Sequence, residues 1–127
     1  MISGISERTV DAGDGSIAVV VTPRGELDLG AIASLDSAFR SALAAAGTPP
    51  KLIVDLSDAD ILAPVVVGVL LDARRRCRNG GGVMVLAATA PEVAAVLADT
   101  GIAPLFASAT DVQAAIGQVS AASHCGS

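Results

Sequence analysis

Aromatic side chains are nearly absent from this chain of 127 residues, which has no Trp, no Tyr and only two Phe, Phe39 and Phe106. Base stacking therefore has almost no platform. Eight basic residues stand against thirteen acidic ones, a formal charge of −5, so the chain repels a phosphate backbone on balance and no nucleic-acid partner is expected. The single histidine, His124, and the two cysteines, Cys77 and Cys125, are too few for a disulfide scaffold or a zinc signature. No metal and no cofactor is expected. Long apolar runs are missing as well. The longest runs from Ile61 to Leu71 before Asp72 interrupts it, well short of the roughly 20 residues a bilayer span requires. Glu7, Arg8, Asp11 and Asp14 occupy the first fifteen positions, so neither the basic nor the apolar part of a signal peptide can be read. A cytoplasmic location is the expectation.

Apolar residues are plentiful: they make up 52% of the chain against 17% charged, and the mean hydropathy is +0.64. Such a composition excludes general disorder. The length suits one core, so a single domain is expected over residues 1–120, with 121–127 as a flexible tail.

The hydrophobic pattern alternates between strand and helix. A strand is predicted from Ser6 to Ala12, followed by Gly13-Asp14-Gly15 as hairpin chemistry. The β-branched run Ile17 to Val21 reads as a central strand buried on both faces. Ile32, Leu35, Phe39 and Ala42 or Leu43 recur at helical spacing between Gly30 and Ala46. Leu52-Ile53-Val54 form a third strand, and Pro64 suits the first position of a second helix. On that helix Val66, Val69 or Leu70, Ala73 and Cys77 share one stripe, and Arg74, Arg75, Arg76 and Arg78 gather in its last turn, where they complement the dipole. Val83 to Leu86, a helix from Pro91 to Asp99, a weak strand near Leu105 and Phe106, and a last helix capped by Thr110 or Asp111 complete the order. This is an α/β pattern: a mixed, mostly parallel sheet of four to five strands with about four helices.

Open α/β sheets place their sites beyond the carboxyl ends of the strands. Two polar segments are predicted there as loops, Arg24-Gly25-Glu26-Leu27-Asp28 and Asp55-Leu56-Ser57-Asp58-Ala59-Asp60, lying side by side. With Gly25-Glu26-Leu27-Asp28, Val54-Asp55-Leu56-Ser57, Gly68-Val69-Leu70-Leu71, the Arg-rich helix end with its glycines, and Thr100-Gly101-Ile102, the chain resembles the sulfate transporter and anti-sigma-factor antagonist (STAS) domain in its small bacterial form. The likeness covers nearly the whole chain. It implies a STAS-like fold and a cytoplasmic, non-enzymatic anti-anti-sigma factor that regulates transcription. Such a module binds an anti-sigma factor with a histidine-kinase-like ATPase fold.

In that family the partner phosphorylates a serine opening the second helix, and the added charge breaks the complex. The family's Asp-Ser-Ser-Gly-Leu-Gly motif falls on Ala63-Pro64-Val65-Val66-Val67-Gly68, so the phosphoacceptor position holds Val65, which has no hydroxyl. The resemblance thus implies an antagonist degenerate at its switch.

The predicted partner surface comprises Glu26, Asp28, Asp60, Ile61, Pro64 and Val65, since a helix cannot bury every side chain of the run Ile61 to Val67. Two rivals stand beside it. One is an architectural subunit of a larger signalling or lipid-transport complex; the other is an enzyme or small-ligand binder using the carboxylate loop. Asp55, Asp58 and Asp60 could suggest Mg²⁺, but no phosphate-cradling glycine loop accompanies them, and solvated loop charge is the plainer reading. Asp28 reads equally as a helix cap, the arginine cluster as a solvated helix end or an anion site, and Ser57 as a loop hydroxyl satisfying nearby amides. Cys77 is expected in the core. A redox pair with Cys125, its thiol tuned by His124, requires the tail to fold back.

Overall fold

The computed structural model describes the backbone of residues 2–12 and 16–125 and the side chains of 4–12 and 16–120. The elements are β1 (Ile2–Asp11), β2 (Ile17–Leu27), α1 (Ile32–Ala45), β3 (Lys51–Asp55), β4 (Ala59–Leu62), α2 (Val67–Asn79), β5 (Val83–Ala87), α3 (Pro91–Asp99), β6 (Ala107–Ala109) and α4 (Val112–Cys125). Single 3₁₀ turns at Leu29–Ala31 and Pro64–Val66 lead into α1 and α2, and a third spans Ala103–Leu105. The sheet runs β1-β2-β3-β5-β6, with β4 pairing β2 beyond the end of β3. β1 is antiparallel to β2, and the β2–β3, β2–β4, β3–β5 and β5–β6 pairs are parallel.

The β-branched runs are continuous because the strands bury both faces. Val19, Val21, Leu52, Val54, Met84 and Leu86 meet Leu35, Phe39, Leu70 and Leu97 in the core under α1, α2 and α3. The alternate residues Ala18, Val20, Ile53, Val85 and Ala87 pack against Ala115 and Val119 of α4 on the other face. α2 buries Val67, Leu70, Ala73 and Cys77; of the predicted stripe, Val66 is buried in the turn before the helix and Leu70 takes the place open between it and the half-buried Val69. Its C-terminus turns through glycines, and Gly82 is required there. A Cβ at this position would lie 1.9 Å from the Pro50 carbonyl oxygen.

The mixed α/β, STAS-like architecture and its four helices are as the pattern predicts, with local differences. The sheet has six strands rather than four or five, because β4 forms inside a segment read as loop. β2 continues to Leu27, through Gly25 at φ 84 and a register shift between Gly25 and Glu26, so these residues are strand and not loop. Leu105 belongs to a 3₁₀ turn, and β6 starts two residues later at Ala107. α4 runs on to Cys125, past the point where the tail was expected to begin. The side chains of His124 and Cys125, and the hairpin residues 13–15, lie outside the described residues.

Candidate protein-docking site

The parallel pairing of β2 with β4 builds the site. Glu26 aligns with Ile61 and Leu27 with Leu62; aligned residues of parallel strands project to the same side. Leu27 and Leu62 are in the core, so Glu26 and Ile61 stand together on the outside. The Ala63 N–H donates to the Leu27 carbonyl at 2.8 Å, holding the entry to α2 against the end of β2. Pro64 then starts the turn that feeds α2, and Val66 is pulled into the core. Val65 cannot follow and stays 53% exposed, as does Ile61 at 53%.

Across from it, Asp28 closes the turn before α1. Its carboxylate accepts the Gly30 N–H at 3.1 Å, and its carbonyl accepts the Ala31 N–H at 2.9 Å. Asp28 thus caps the 3₁₀ turn that leads into α1 rather than α1 itself, whose N-cap is Ala31, and its half-buried carboxylate stays beside the candidate face. The same turn carries Leu29, 72% exposed and the most exposed large apolar side chain among the described residues. The turns at Leu29–Ala31 and Pro64–Val66 are neighbours, so the exposed Leu29, Ile61 and Val65 lie at the same end of the sheet as Glu26, Asp28 and Asp60. All six predicted surface residues come to this one end of the sheet. Leu29 was missed; its signal was an apolar residue directly after a capping aspartate, where no core contact is available.

The carboxylate loop disperses rather than converges. Asp55 accepts the Ser57 N–H at 3.0 Å, so this carboxylate satisfies the Ser57 amide. Asp58 pairs with Arg24 at 3.4 Å, and its carbonyl accepts the Gly25 N–H at 3.0 Å. Asp60 points outward on β4. Among the described residues no group of three acidic, Cys or His side chains is placed to hold a metal ion. A cavity of about 610 Å³ lies at the carboxyl ends of β5 and β6, between Leu97, Phe106, Thr89, Ser108 and Thr110, and its lining contains no ionisable group. General acid–base chemistry has no pair to use there.

At the far end of α2 the charge is basic. Arg75 and Arg76 both bind Asp72, at 2.5 and 2.8 Å. The Arg75 hydrogen bond, opposed by partial burial and helped by Arg76, holds the Asp72 carboxyl below its usual range. Arg74 donates from Nε to the Leu105 carbonyl at 2.6 Å. Cys77 is fully buried, and desolvation pushes its thiol up to about 12, so it is inert at neutral pH. No helix among the described residues is long and apolar enough to cross a membrane.

No curated protein matches the sequence. Solved structures are similar in fold: an anti-sigma factor antagonist from Mycobacterium paratuberculosis (24% identity, 91% of this chain and 94% of that one, TM-score 0.73), RsbS from Moorella thermoacetica (23%, 96% and 99%, 0.75) and the phosphorylated form of the Bacillus cell fate determinant SpoIIAA (22%, 87% and 96%, 0.63). The sequence itself matches the STAS domain family over residues 9–115, a span that contains Glu26, Asp28, Asp60, Ile61, Pro64 and Val65. The chain therefore belongs to the STAS domain family.

Proposed function

We propose that this protein is a non-enzymatic antagonist that docks an anti-sigma factor of histidine-kinase-like fold through Glu26, Asp28, Leu29, Asp60, Ile61, Pro64 and Val65. It works in the cytoplasm and without phosphorylation at the start of α2. The observation that carries the reading is apolar exposure: Leu29, Ile61 and Val65 are three of the five exposed large apolar residues among the described residues, and all three lie at one end of the sheet. Apolar anchors with a polar rim are the anatomy of a protein interface. The acidic rim adds steering toward a basic partner surface.

Val65 occupies the position where the family carries its phosphoacceptor, so the partner's kinase activity has no hydroxyl to attack there. Release has to come from something other than a new charge on α2. Titration calorimetry of the protein against an anti-sigma factor of histidine-kinase-like fold from the same cell tests the reading. Saturable 1:1 binding is expected, and no heat of binding at protein concentrations of about 100 μM, far above the micromolar range of transient complexes, would refute it.

A further inference from the structure

The two ends of α2 are complementary to each other. Arg74 and Arg78 flank a cavity of about 330 Å³ that also takes in Val83, Met84 and Leu105. Neither guanidinium has a carboxylate partner among the described residues, since Arg74 spends its Nε on the Leu105 carbonyl while Asp72 is taken by Arg75 and Arg76. Leu105 is 46% exposed, so two cations stand around an open apolar side chain. Such a cavity suits a segment that presents a carboxylate next to an aliphatic side chain. The opposite end of the molecule supplies both kinds of side chain, with Asp60, Ile61 and Val65 all exposed. α2 has 13 residues, about 20 Å at 1.5 Å per residue, so one molecule cannot satisfy itself.

We propose that copies of this chain associate head to tail, with Asp60, Ile61 and Val65 of one copy seated in the Arg74–Arg78–Leu105 cavity of the next. The contact joins unlike surfaces, so it leaves a free head and a free tail and is open-ended. Resting on the reading that the apolar face docks the anti-sigma factor, it also supplies a regulator: a copy on that face excludes the partner. Concentration and ionic strength, not phosphorylation, would then set how much antagonist is available.

Analytical ultracentrifugation of the unmodified protein is the first test. The weight-average mass is expected to rise above the 12.5 kDa monomer with concentration at about 20 mM salt, and to fall back at about 500 mM as the charges are screened. A constant monomer mass up to about 1 mM protein, above any contact of useful affinity, overturns the proposal. The second test blocks one end at a time. Ile61→Arg closes the head and Arg78→Glu with Leu105→Asp closes the tail, all at exposed positions. Each variant alone is expected to sediment as a monomer, and an equal mixture to give a species of twice the monomer mass that grows no further. Self-association persisting in either variant, or no complex in the mixture, overturns the head-to-tail contact. Calorimetry of wild type with the anti-sigma factor reads the docking face separately, so the two proposals fail independently.

Discussion

Replacing Val65 with Asp places a carboxylate at the entry to α2, and the fold and the interface should respond very differently. Val65 is 53% exposed, so it holds only about half of the roughly 1.5 kcal/mol that full burial of a valine contributes. An acidic residue in the first turn before a helix returns about 0.3–1 kcal/mol through the dipole. The net change in stability is within about 1 kcal/mol, a Tm shift of no more than about 5 °C. At the interface the same carboxylate must be desolvated against an apolar partner surface, beside Glu26, Asp28 and Asp60, at a cost of about 3 kcal/mol or more. That is a loss in affinity of more than about 100-fold. Arg75→Asp, at the opposite end of α2 where the side chain is 70% exposed, should weaken binding less than about 3-fold, as expected for a charge remote from the contact. Circular dichroism melts and calorimetry against the anti-sigma factor read the two effects. Wild-type affinity in a well-folded Val65→Asp protein would refute the docking face. A collapse of the melt would show that Val65 belongs to the core.

Incubation with the anti-sigma factor and ATP should leave the intact mass unchanged; a stoichiometric gain of one phosphate refutes the reading of the α2 entry. Cys77 should titrate only on unfolding. Its folded value of about 12 lies above the ordinary 9.0, so between these limits the unfolded chain loses a proton that the native state keeps. The Cys77 contribution to stability should therefore be constant below about pH 9 and fall by up to about 1.4 kcal/mol per pH unit above it, and denaturant titrations of Cys77→Ala should lack that alkaline slope. Gly82→Ala should lose about 1–3 kcal/mol or more in the same assay, because its Cβ meets the Pro50 carbonyl; an unchanged midpoint would show that the β5 entry can shift freely.

The parts of the fold legible in the sequence were those whose signal is local. Val19 to Val21 and Val83 to Leu86 read as strands because both faces are buried, and Pro64 and Pro91 mark helix entries by their missing N–H. β4 was not legible, since Ala59-Asp60-Ile61-Leu62 has neither clean alternation nor a β-branched run. It is a strand only because Gly25–Leu27 lies alongside to pair with it. The same tertiary pairing turned Glu26 from a loop residue into a strand residue without moving it from the face. Leu29 escaped because a single apolar residue in a capping turn has no periodicity to betray it, and Leu105 was drawn into a 3₁₀ turn that ends one residue before Phe106 enters the core.

The central claim is that one end of the sheet, and not the other, meets the partner. A titration of the ¹⁵N-labelled protein with the unlabelled anti-sigma factor, followed amide by amide, tests it most directly. In about 500 mM salt, where copies of the chain are held apart by screening, the amides of Glu26, Leu29, Asp60, Ile61 and Val65 are expected to shift or broaden first, while those of Arg78, Gly82 and Leu105 stay in place; perturbations concentrated at the arginine end, or spread evenly over the sheet, would contradict it.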